Sequence, residues 1–395
     1  MSIAALERNT QARGPLERCV GDRRAFLRDS WGRRATVRPG SDGQAFDDLL
    51  TLDDVDRFLT TTALRTPFFR LVKAGEPIPE AAYTRSGRTG SRDVEGIADP
   101  ARLAAWFDDG ATIVLQGLHR WAEPVTRFTR DLELELGHPC QVNAYITPRG
   151  SQGLDLHQDE HDVFVLQAFG RKRWQVHAAP EEDRREPLET EVASGDTIYM
   201  PSGTPHAASA QEVVSGHLTV GVHVTAWRTV LEGVWTQLMG SVDGSVPAGW
   251  SADPEGFAQE LRDRLRKVSQ GLERVDAKEE TRARIERWLS GRTQLGRGWI
   301  AERSEPIRVD DDSLLRRRPG AVCELHLLPE HLIVLLGDRR LEMPTWIEPA
   351  MRRIANVEAF TLGELADVLP DRESRAVLGR RLIREGLLAG RDRGE

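Results

Sequence analysis

The sequence predicts an α+β protein whose centre is an all-β barrel or double-sheet jelly roll. Three observations indicate this fold class. Residues 101–227 contain short runs rich in valine, isoleucine, threonine and aromatic residues, separated by glycine, proline, asparagine and aspartate. From about residue 228 the apolar residues recur at helical spacing. Residues 345–390 then alternate helical patterns with turns, which is the outline of a winged helix.

These changes of pattern predict four segments. Residues 1–100 mix short helical patterns with Gly/Pro-rich breaks and are expected to form an α/β extension of the barrel. Residues 101–227 form the barrel. Residues 228–295 form a helical module, in which the first helix carries few charges and is expected to be buried, whereas the next two are amphipathic and suit a dimer face. Residues 296–395 contain short strands followed by the winged helix.

Composition excludes several classes of protein. The chain has 395 residues, no long apolar run and no apolar signal region at its start, so neither a membrane span nor a secretory signal is expected. Cys19, Cys140 and Cys323 are far apart and form no C-x-x-C pair. We therefore expect a cytoplasmic protein without a disulfide framework or a membrane partner.

Charge argues against nucleic acid as a partner, because the formal net charge is -8. Residues 1–40 are arginine-rich, and we favour a solvated arm over an RNA contact for them. Residues 344–395 carry equal numbers of arginines and acids. There we favour a structural or protein-docking role over phosphate contact by a set of arginines, namely Arg375, Arg380, Arg381 and Arg384.

A His-x-Asp pair precedes the strand-like run DVFVLQAF. If the preceding residues are also extended, His157 and Asp159 share one face, because side chains two apart in a strand point the same way. A histidine and a carboxylate supply two of the three ligands of a 2-His-1-carboxylate site, which suits Fe(II) and leaves three positions open.

The third ligand is predicted to be His206, in the stretch SGDTIYMPSGTPHAASA. A short strand, a proline and a loop of small residues deliver this histidine at a distance that fits another strand of the same barrel. His161 falls on the same face by period two and competes as a ligand. We favour a place for it at the pocket rim, in contact with substrate, because three ligands already fill one octahedral face.

One of only four lysines in the chain lies just downstream, in the run KRWQVH. Iron held by three side chains needs an electron source to activate O2, and 2-oxoglutarate can chelate the metal through its 2-oxo acid end. Lys172 is then expected to bind the distal carboxylate, since a buried ammonium is costly unless paired. Asn143 in QVNAYITP offers an amide to the same cavity. A surface lysine in a basic turn is the alternative.

The run NAYITPRGSQGLDLHQDEHDVFVLQAFGRKRW, followed by GDTIYMPSGTPHAASA and SGHLTVGV, resembles the JmjC-type ribosomal oxygenases of the cupin superfamily. These are Fe(II)- and 2-oxoglutarate-dependent protein hydroxylases. The resemblance implies iron ligation by His157, Asp159 and His206, a co-substrate site at Lys172 and Asn143, and a substrate contact at Tyr145. It also implies a homodimer formed through the helical module.

The implied substrate is an arginine or histidine side chain of a protein, and known members of the family act on ribosomal proteins. Two departures leave the ribosomal substrate open: Val114 stands about where some members have a substrate-contacting arginine, and His161 replaces what is often a small or apolar residue. Three alternatives stay open: a related oxygenase of a small molecule or biosynthetic peptide, an N-methyl demethylase, and a non-catalytic binding protein.

Overall fold

The protein is described by a computed structural model. In the first part of the chain, antiparallel strands form the two sheets of a jelly roll. The structure describes residues 14–40, 46–151, 155–180, 186–210, 212–240, 242–292, 300, 304, 306–318 and 320–390. It contains two compact units, of which one ends at Val224 and the other begins at Thr225. Residues 1–13 of the predicted basic arm lie outside the described residues. The four predicted segment boundaries stay predictions.

Three of the apolar runs noted in the sequence, QVNAYITP, DVFVLQAF and KRWQVH, lie in strands of the first unit. Their bounds are β1 Thr36–Arg38, β2 Phe69–Lys73, β3 Glu76–Pro77, β4 Thr84–Thr89, β5 Arg92–Ala98, β6 Thr112–Leu115, β7 Cys140–Thr147, β8 Asp162–Phe169, β9 Arg171–Val176, β10 Leu188–Ala193, β11 Thr197–Met200, β12 His206–Ala210 and β13 Ser215–Val222. The larger sheet has the order β1-β11-β8-β13-β7-β6-β2-β3, and the smaller has the order β10-β9-β12. Strands β4 and β5 form a separate hairpin.

Five helices precede or interrupt these strands: α1 Pro15–Val20, α2 Arg23–Asp29, α3 Leu52–Thr61, α4 Pro100–Asp108 and α5 Glu123–Leu136. Helix α3 begins with a capping box in which Thr51 and Asp54 bond each other's backbone amide. Apolar side chains of all five helices share one core with the larger sheet. The helices therefore cover one face of that sheet and leave its other face for the smaller sheet.

Strand β7 shows how the sequence assigns these two faces. Val142, Ala144 and Ile146 belong to the core shared with the helices, and the alternate residues point to the opposite face. A second apolar core lies on that opposite face and joins the two sheets of the jelly roll; its buried members are Val163, Val165, Trp174, Val176, Val192, Ile198 and Met200. The polar side chains described below lie on this inner face.

The chain passes from the larger to the smaller sheet at Gly170, between β8 and β9. This residue has a φ of +68°, and a Cβ placed on it would lie 2.0 Å from the carbonyl oxygen of Val214. Glycine is required there both for the backbone conformation and for the close approach. The crossing fixes where β9, and with it Lys172, enters the smaller sheet.

The second unit contains helices and small sheets. Its helices are α6 Trp227–Met239, α7 Pro254–Glu273, α8 Ala277–Ser290, α9 Glu348–Ala355 and α10 Arg372–Arg384, and its strands are β14 Leu314–Arg317, β15 Glu324–Leu327, β16 His331–Leu335, β17 Arg340–Pro344, β18 Ala359–Thr361 and β19 Leu388–Ala389. The strands form two three-stranded sheets, β18-β14-β19 and β15-β16-β17. No helix in the described ranges combines the length and apolar character that crossing a bilayer requires.

The expectation that the first helix of the module is buried is wrong for the single chain. In α6, Trp227 is 78% exposed, Leu231 61% and Trp235 46%.

Arg375, one of the four arginines considered for phosphate contact, faces the protein interior. It is buried, forms two hydrogen bonds with the carboxylate of Asp311, and donates to backbone carbonyls as well. Arg375 therefore has a structural role.

We expect Gly170→Ala to destabilise the first unit by roughly 3 kcal/mol, because the methyl group meets backbone atoms that cannot move away easily. Gly150→Ala is the matched control. Gly150 has nearly the same φ, +69°, but nothing lies within 4 Å of its added Cβ, so only about 1 kcal/mol of conformational strain is expected. Urea unfolding followed by circular dichroism measures both. Equal losses in the two variants would contradict the packing argument.

Candidate metal centre

Two histidines that are remote in the sequence are joined by backbone hydrogen bonds. The amide of His157 donates to the carbonyl oxygen of His206 at 3.1 Å, and the amide of His206 donates to that of His157 at 2.8 Å. This isolated antiparallel bridge brings the two imidazole rings to a centroid distance of 4.4 Å. The prediction of a strand through His157 and Asp159 is wrong, since β8 begins only at Asp162 and the pair lies in a bridged loop.

Asp159 is held by the loop that precedes His206. Its carbonyl oxygen accepts a hydrogen bond from the amide of Gly203 at 2.8 Å. The same loop is anchored at Ser202, whose amide donates to the buried carboxylate of Asp162 at 2.9 Å. Asp162 also accepts from the hydroxyl of Tyr199. The segment that carries Asp159 and the loop that carries His206 are thus fixed to each other.

The tautomers of both histidines follow from their hydrogen bonds. Nδ1 of His157 lies 2.7 Å from the carbonyl oxygen of Asp155, and Nδ1 of His206 lies 2.9 Å from that of Thr204. Because a carbonyl oxygen only accepts, each Nδ1 carries the proton. Each Nε2 is therefore left with a free lone pair, which is the arrangement that orients a histidine toward a metal.

The free histidine nitrogens converge on the aspartate. Nε2 of His206 is 3.8 Å from Oδ2 of Asp159, and one ligand atom from each of His157, Asp159 and His206 lies within 4.8 Å of the others. In the described ranges this is the one group of three or more such side chains. Burial lowers the pKa of His206 and so favours the neutral, ligating form. Two imidazoles and one carboxylate suit Fe(II) and leave coordination positions open.

Lys172 lies inside the jelly roll. It is 2% exposed, whereas Arg171 and Arg173 on either side face solvent, so the predicted alternation is confirmed. Its Nζ donates to the hydroxyl of Thr147 at 3.1 Å, and it forms no ion pair with a carboxylate among the described residues. Burial lowers the pKa of Lys172 to about 7. An ammonium held in this way favours an incoming anion.

Asn143 and Tyr145 alternate with Thr147 on the inner face of β7, so the structure brings both into the cavity. The side-chain oxygen of Asn143 accepts from the amide of Gly117 at 3.0 Å. Burial raises the pKa of Tyr145, and the charge of Asp159 raises it further. Tyr145 therefore stays protonated, and it lies close enough to the three candidate metal ligands for the charge of Asp159 to raise its pKa.

His161 lies outside the group of three ligands. Its Nε2 is 3.2 Å from Nε2 of Gln141, and its ring is 5.1 Å from that of His223. It is half-buried. A rim position is compatible with these contacts, and its role toward substrate stays a prediction.

His217 lines the site from strand β13. Its buried ring stacks on Tyr145 at 5.2 Å and meets Trp174 edge-on at 5.3 Å. Within the described part of the chain, Nδ1 of His217 and Nε1 of Trp174 have no hydrogen-bond partner. Strand pairing places His217 opposite Tyr145, and no local sequence signal reveals that pairing. Unsatisfied buried polar atoms in a cavity indicate a polar ligand.

The sequence and the fold are similar to those of known proteins. The family model described as the JmjC domain matches residues 122–230. Ribosomal oxygenase 1 of Rattus norvegicus is 30% identical over 227 residues, which cover 53% of this chain and 36% of that protein. The bifunctional lysine-specific demethylase and histidyl-hydroxylase NO66 of Drosophila melanogaster is 27% identical over 244 residues, which cover 56% and 36%. The match thus spans about a third of each relative's length.

A solved structure covers nearly the whole chain. The ribosomal oxygenase YcfD of Escherichia coli has a TM-score of 0.54 and 19% identity, over 94% of this chain and 99% of that one. It has also been solved in complex with cobalt and 2-oxoglutarate. The predicted jelly-roll core of the JmjC/cupin type is confirmed by this likeness, and so is the resemblance to the JmjC-type ribosomal oxygenases.

We expect Asp159→Asn to weaken Co(II) binding by at least about 100-fold, because an amide is a poorer ligand than a carboxylate and even outer contacts of metal ligands have effects of that order. Isothermal titration calorimetry measures the affinity. Glu160→Gln, a change at the exposed next residue, should leave it unchanged. Equal affinities of the two variants for Co(II) would show that Asp159 is not a metal ligand.

We expect Lys172→Met to raise the stability of the ligand-free protein by about 1 kcal/mol, because it removes a buried amine that lacks an anionic partner. Chemical denaturation without metal or small acids measures this. Lys73→Met is the control, since Lys73 is exposed and pairs with Asp109 at 2.6 Å, and no gain is expected from it. A destabilised Lys172→Met protein would show that the amine has an anionic partner inside the fold.

Proposed function

We propose that this chain, a relative of the JmjC-type ribosomal oxygenases, is an Fe(II)- and 2-oxoglutarate-dependent oxygenase that hydroxylates an arginine or histidine side chain of a protein. The observation that carries the proposal is a buried lysine without a carboxylate partner, inside the same jelly roll as a 2-His-1-carboxylate group. One end of the cavity thus suits a metal and the other suits an anion.

Strand pairing gives the spacing of the two ends of the proposed site along β9. His206 in β12 lies opposite Val176 in β9, and Lys172 is four residues farther along β9, about 13 Å by the rise of a strand. A lysine side chain and a five-carbon diacid laid end to end span a gap of that order. His157, Asp159 and His206 would hold the metal that binds the 2-oxo acid end, and the ammonium of Lys172 would bind the distal carboxylate.

The protein's own groups prepare both ends. Hydrogen bonds to backbone carbonyls hold the two imidazoles with Nε2 directed inward, and Thr147 positions the lysine amine. A bound carboxylate would stabilise the protonated form of Lys172, whose pKa is lowered by burial to about 7, so the amine would take up a proton on binding. Ferrous iron supplies O2 activation coupled to decarboxylation of 2-oxoglutarate.

The side chains between the two ends of the site exclude water and orient the reactants. Apolar side chains of the second core line the jelly roll and exclude water. Tyr145, stacked on His217 and near Asp159, offers a neutral hydroxyl to the substrate beside the metal. Asn143 adds an amide on the same face. We assign these residues to orientation of co-substrate and substrate.

The substrate class is proposed from relatives whose names describe ribosomal oxygenases and a histidyl-hydroxylase. A protein side chain, with a ribosomal protein as the first candidate, is therefore our choice. Another relative is also named as a lysine-specific demethylase, which keeps N-methyl demethylation as the second candidate. Intact-mass analysis distinguishes the two, because hydroxylation adds one oxygen and demethylation removes one methyl group.

We also propose that the helical module forms a homodimer. Trp227, Leu231 and Trp235 recur every four residues on α6 and are exposed, and helix α7 adds exposed leucines at positions 261 and 265. An exposed apolar stripe of this kind is typical of a protein interface. A second copy of the chain would bury it.

For residues 296–395 we keep the winged-helix assignment as a proposal, with a structural or docking role. Helices α9 and α10 with the β18-β14-β19 sheet supply the expected elements. The ion pair of Arg375 with Asp311 supports a structural role for that arginine and removes one cation from any phosphate contact.

The oxygenase is tested by incubating lysate proteins of the source organism with the enzyme, ferrous iron, ascorbate and 2-oxoglutarate. We expect one or more peptides to gain an oxygen with the wild type and with Glu160→Gln, and none with Asp159→Asn, because only the last loses a metal ligand. Peptide mass spectrometry identifies the oxidised residue. Oxidation that persists in Asp159→Asn would overturn the assignment.

The dimer is tested by light scattering on a sizing column. We expect the wild type to have the mass of two chains, and Leu231→Glu with Trp235→Glu to have the mass of one, because two carboxylates in an apolar contact are strongly unfavourable. Trp346→Glu, at another exposed tryptophan of the same unit, should stay dimeric. A wild-type mass of a single chain would contradict the proposal.

A further inference from the structure

An arginine on the inner face of the larger sheet has no part in the reaction described above. Arg70 is in β2, its cross-strand partner in β6 is Val114, and the partner of Val114 in β7 is Tyr145. Adjacent strands are about 4.8 Å apart, so two strand spacings separate the backbones of Arg70 and Tyr145. An arginine side chain can bridge that span.

The direction of the side chain follows from its neighbours. Phe69 and Leu71 belong to the core that packs on the helices, so Arg70 between them points to the opposite face. There it meets the hydroxyl of Tyr145, and its charge opposes the rise in the pKa of that tyrosine. The negative charge of the Asp159 carboxylate raises the pKa of the same hydroxyl. Tyr145 thus lies within reach of both Arg70 and a metal-ligating side chain.

Arg70 differs from Arg375 because it pairs with no carboxylate among the described residues. Arg375 binds the carboxylate of Asp311 through two nitrogens and donates to backbone carbonyls too. Arg70 is half-buried, yet across the described ranges it forms no ion pair. A guanidinium is costly to withdraw from water without an anionic partner. One that faces a substrate cavity is therefore suited to bind an anion that arrives with the substrate.

We propose that Arg70 and the hydroxyl of Tyr145 bind a carboxylate of the substrate, next to the side chain that is oxidised. The inference rests on the proposed function and names its substrate class, an acidic peptide. The fork of a guanidinium matches a carboxylate with two parallel hydrogen bonds, and the hydroxyl adds a third donor. Val114, which lies between them in the sheet, has no polar side-chain group to compete. The carboxylate comes either from an aspartate or glutamate beside the target or from a chain terminus.

Binding of fluorescein-labelled peptide pools to the metal-free full-length protein tests the proposal without requiring turnover. Each pool has a central histidine or arginine. One pool has flanking Asp and Glu, a matched pool has Asn and Gln, and a third has neutral flanks and a free C-terminal carboxylate close to the centre. Fluorescence anisotropy gives the affinities. Arg70→Gln and Arg70→Glu are compared with Arg92→Gln, which changes an exposed arginine of β5.

We expect the wild type to bind a carboxylate-bearing pool about tenfold more tightly than the neutral pool, the usual scale of one charge-assisted contact. Arg70→Gln should reduce that ratio to near one, Arg70→Glu should bring it below one, and Arg92→Gln should keep it. The side-chain and terminal pools identify the source of the carboxylate. A wild type without preference, or an Arg70→Gln protein that keeps the wild-type ratio, would overturn the proposal. Thermal melts establish that each variant is folded.

Failure of this inference is distinguishable from failure of the proposed function. If wild-type protein with iron and 2-oxoglutarate oxidises no protein but binds acidic pools in an Arg70-dependent manner, the oxygenase is wrong and the carboxylate site stands. If the wild type oxidises a protein but the ratio of the two affinities does not depend on Arg70, the oxygenase assignment stands and the carboxylate site is wrong.

Discussion

The reciprocal hydrogen bonds between His157 and His206 are the constraint on which the rest of the site depends. They join a loop before β8 to the start of β12, two segments that no continuous strand connects. Each imidazole is then directed by a carbonyl oxygen two residues before it. The position of both nitrogens is therefore fixed by backbone geometry, and a bound metal would find its ligands already directed.

The interior balances two opposing requirements. The second core needs apolar side chains to hold the sheets together, but the same interior holds Lys172, His217 and the indole nitrogen of Trp174 with few or no partners. Such groups weaken the free fold and strengthen the complex with a polar ligand. The buried polar groups that suit ligand binding therefore lower the stability of the ligand-free fold.

Much of this was predictable from the sequence, since the signals are local. Alternation in RKRWQV assigns Lys172 to the interior, and the two His-containing motifs contain the three candidate ligands. Other features depend on tertiary pairing. The bridge of His157 replaces a regular strand because Asp162 and the loop before His206 hold the backbone. Arg70 is brought to Tyr145 by two strand pairings, which a single sequence does not reveal. The sparse charges of α6 indicated burial, but a single chain offers no surface to provide it.

The carboxylate of Asp162 links the site to the start of the chain. Tyr199, which donates to that carboxylate, also accepts from the amide of Gly32 at 2.7 Å, and β1 pairs with β11 beside it. The amide of Gly40 donates to the carboxylate of Asp196, the residue before β11. The smallest autonomous fragment is thus larger than the stretch that resembles a JmjC domain. A protein cut to residues 122–230 would lose β1, which supports the loop before His206 through β11, and deletions near position 30 would alter the candidate metal site from a distance.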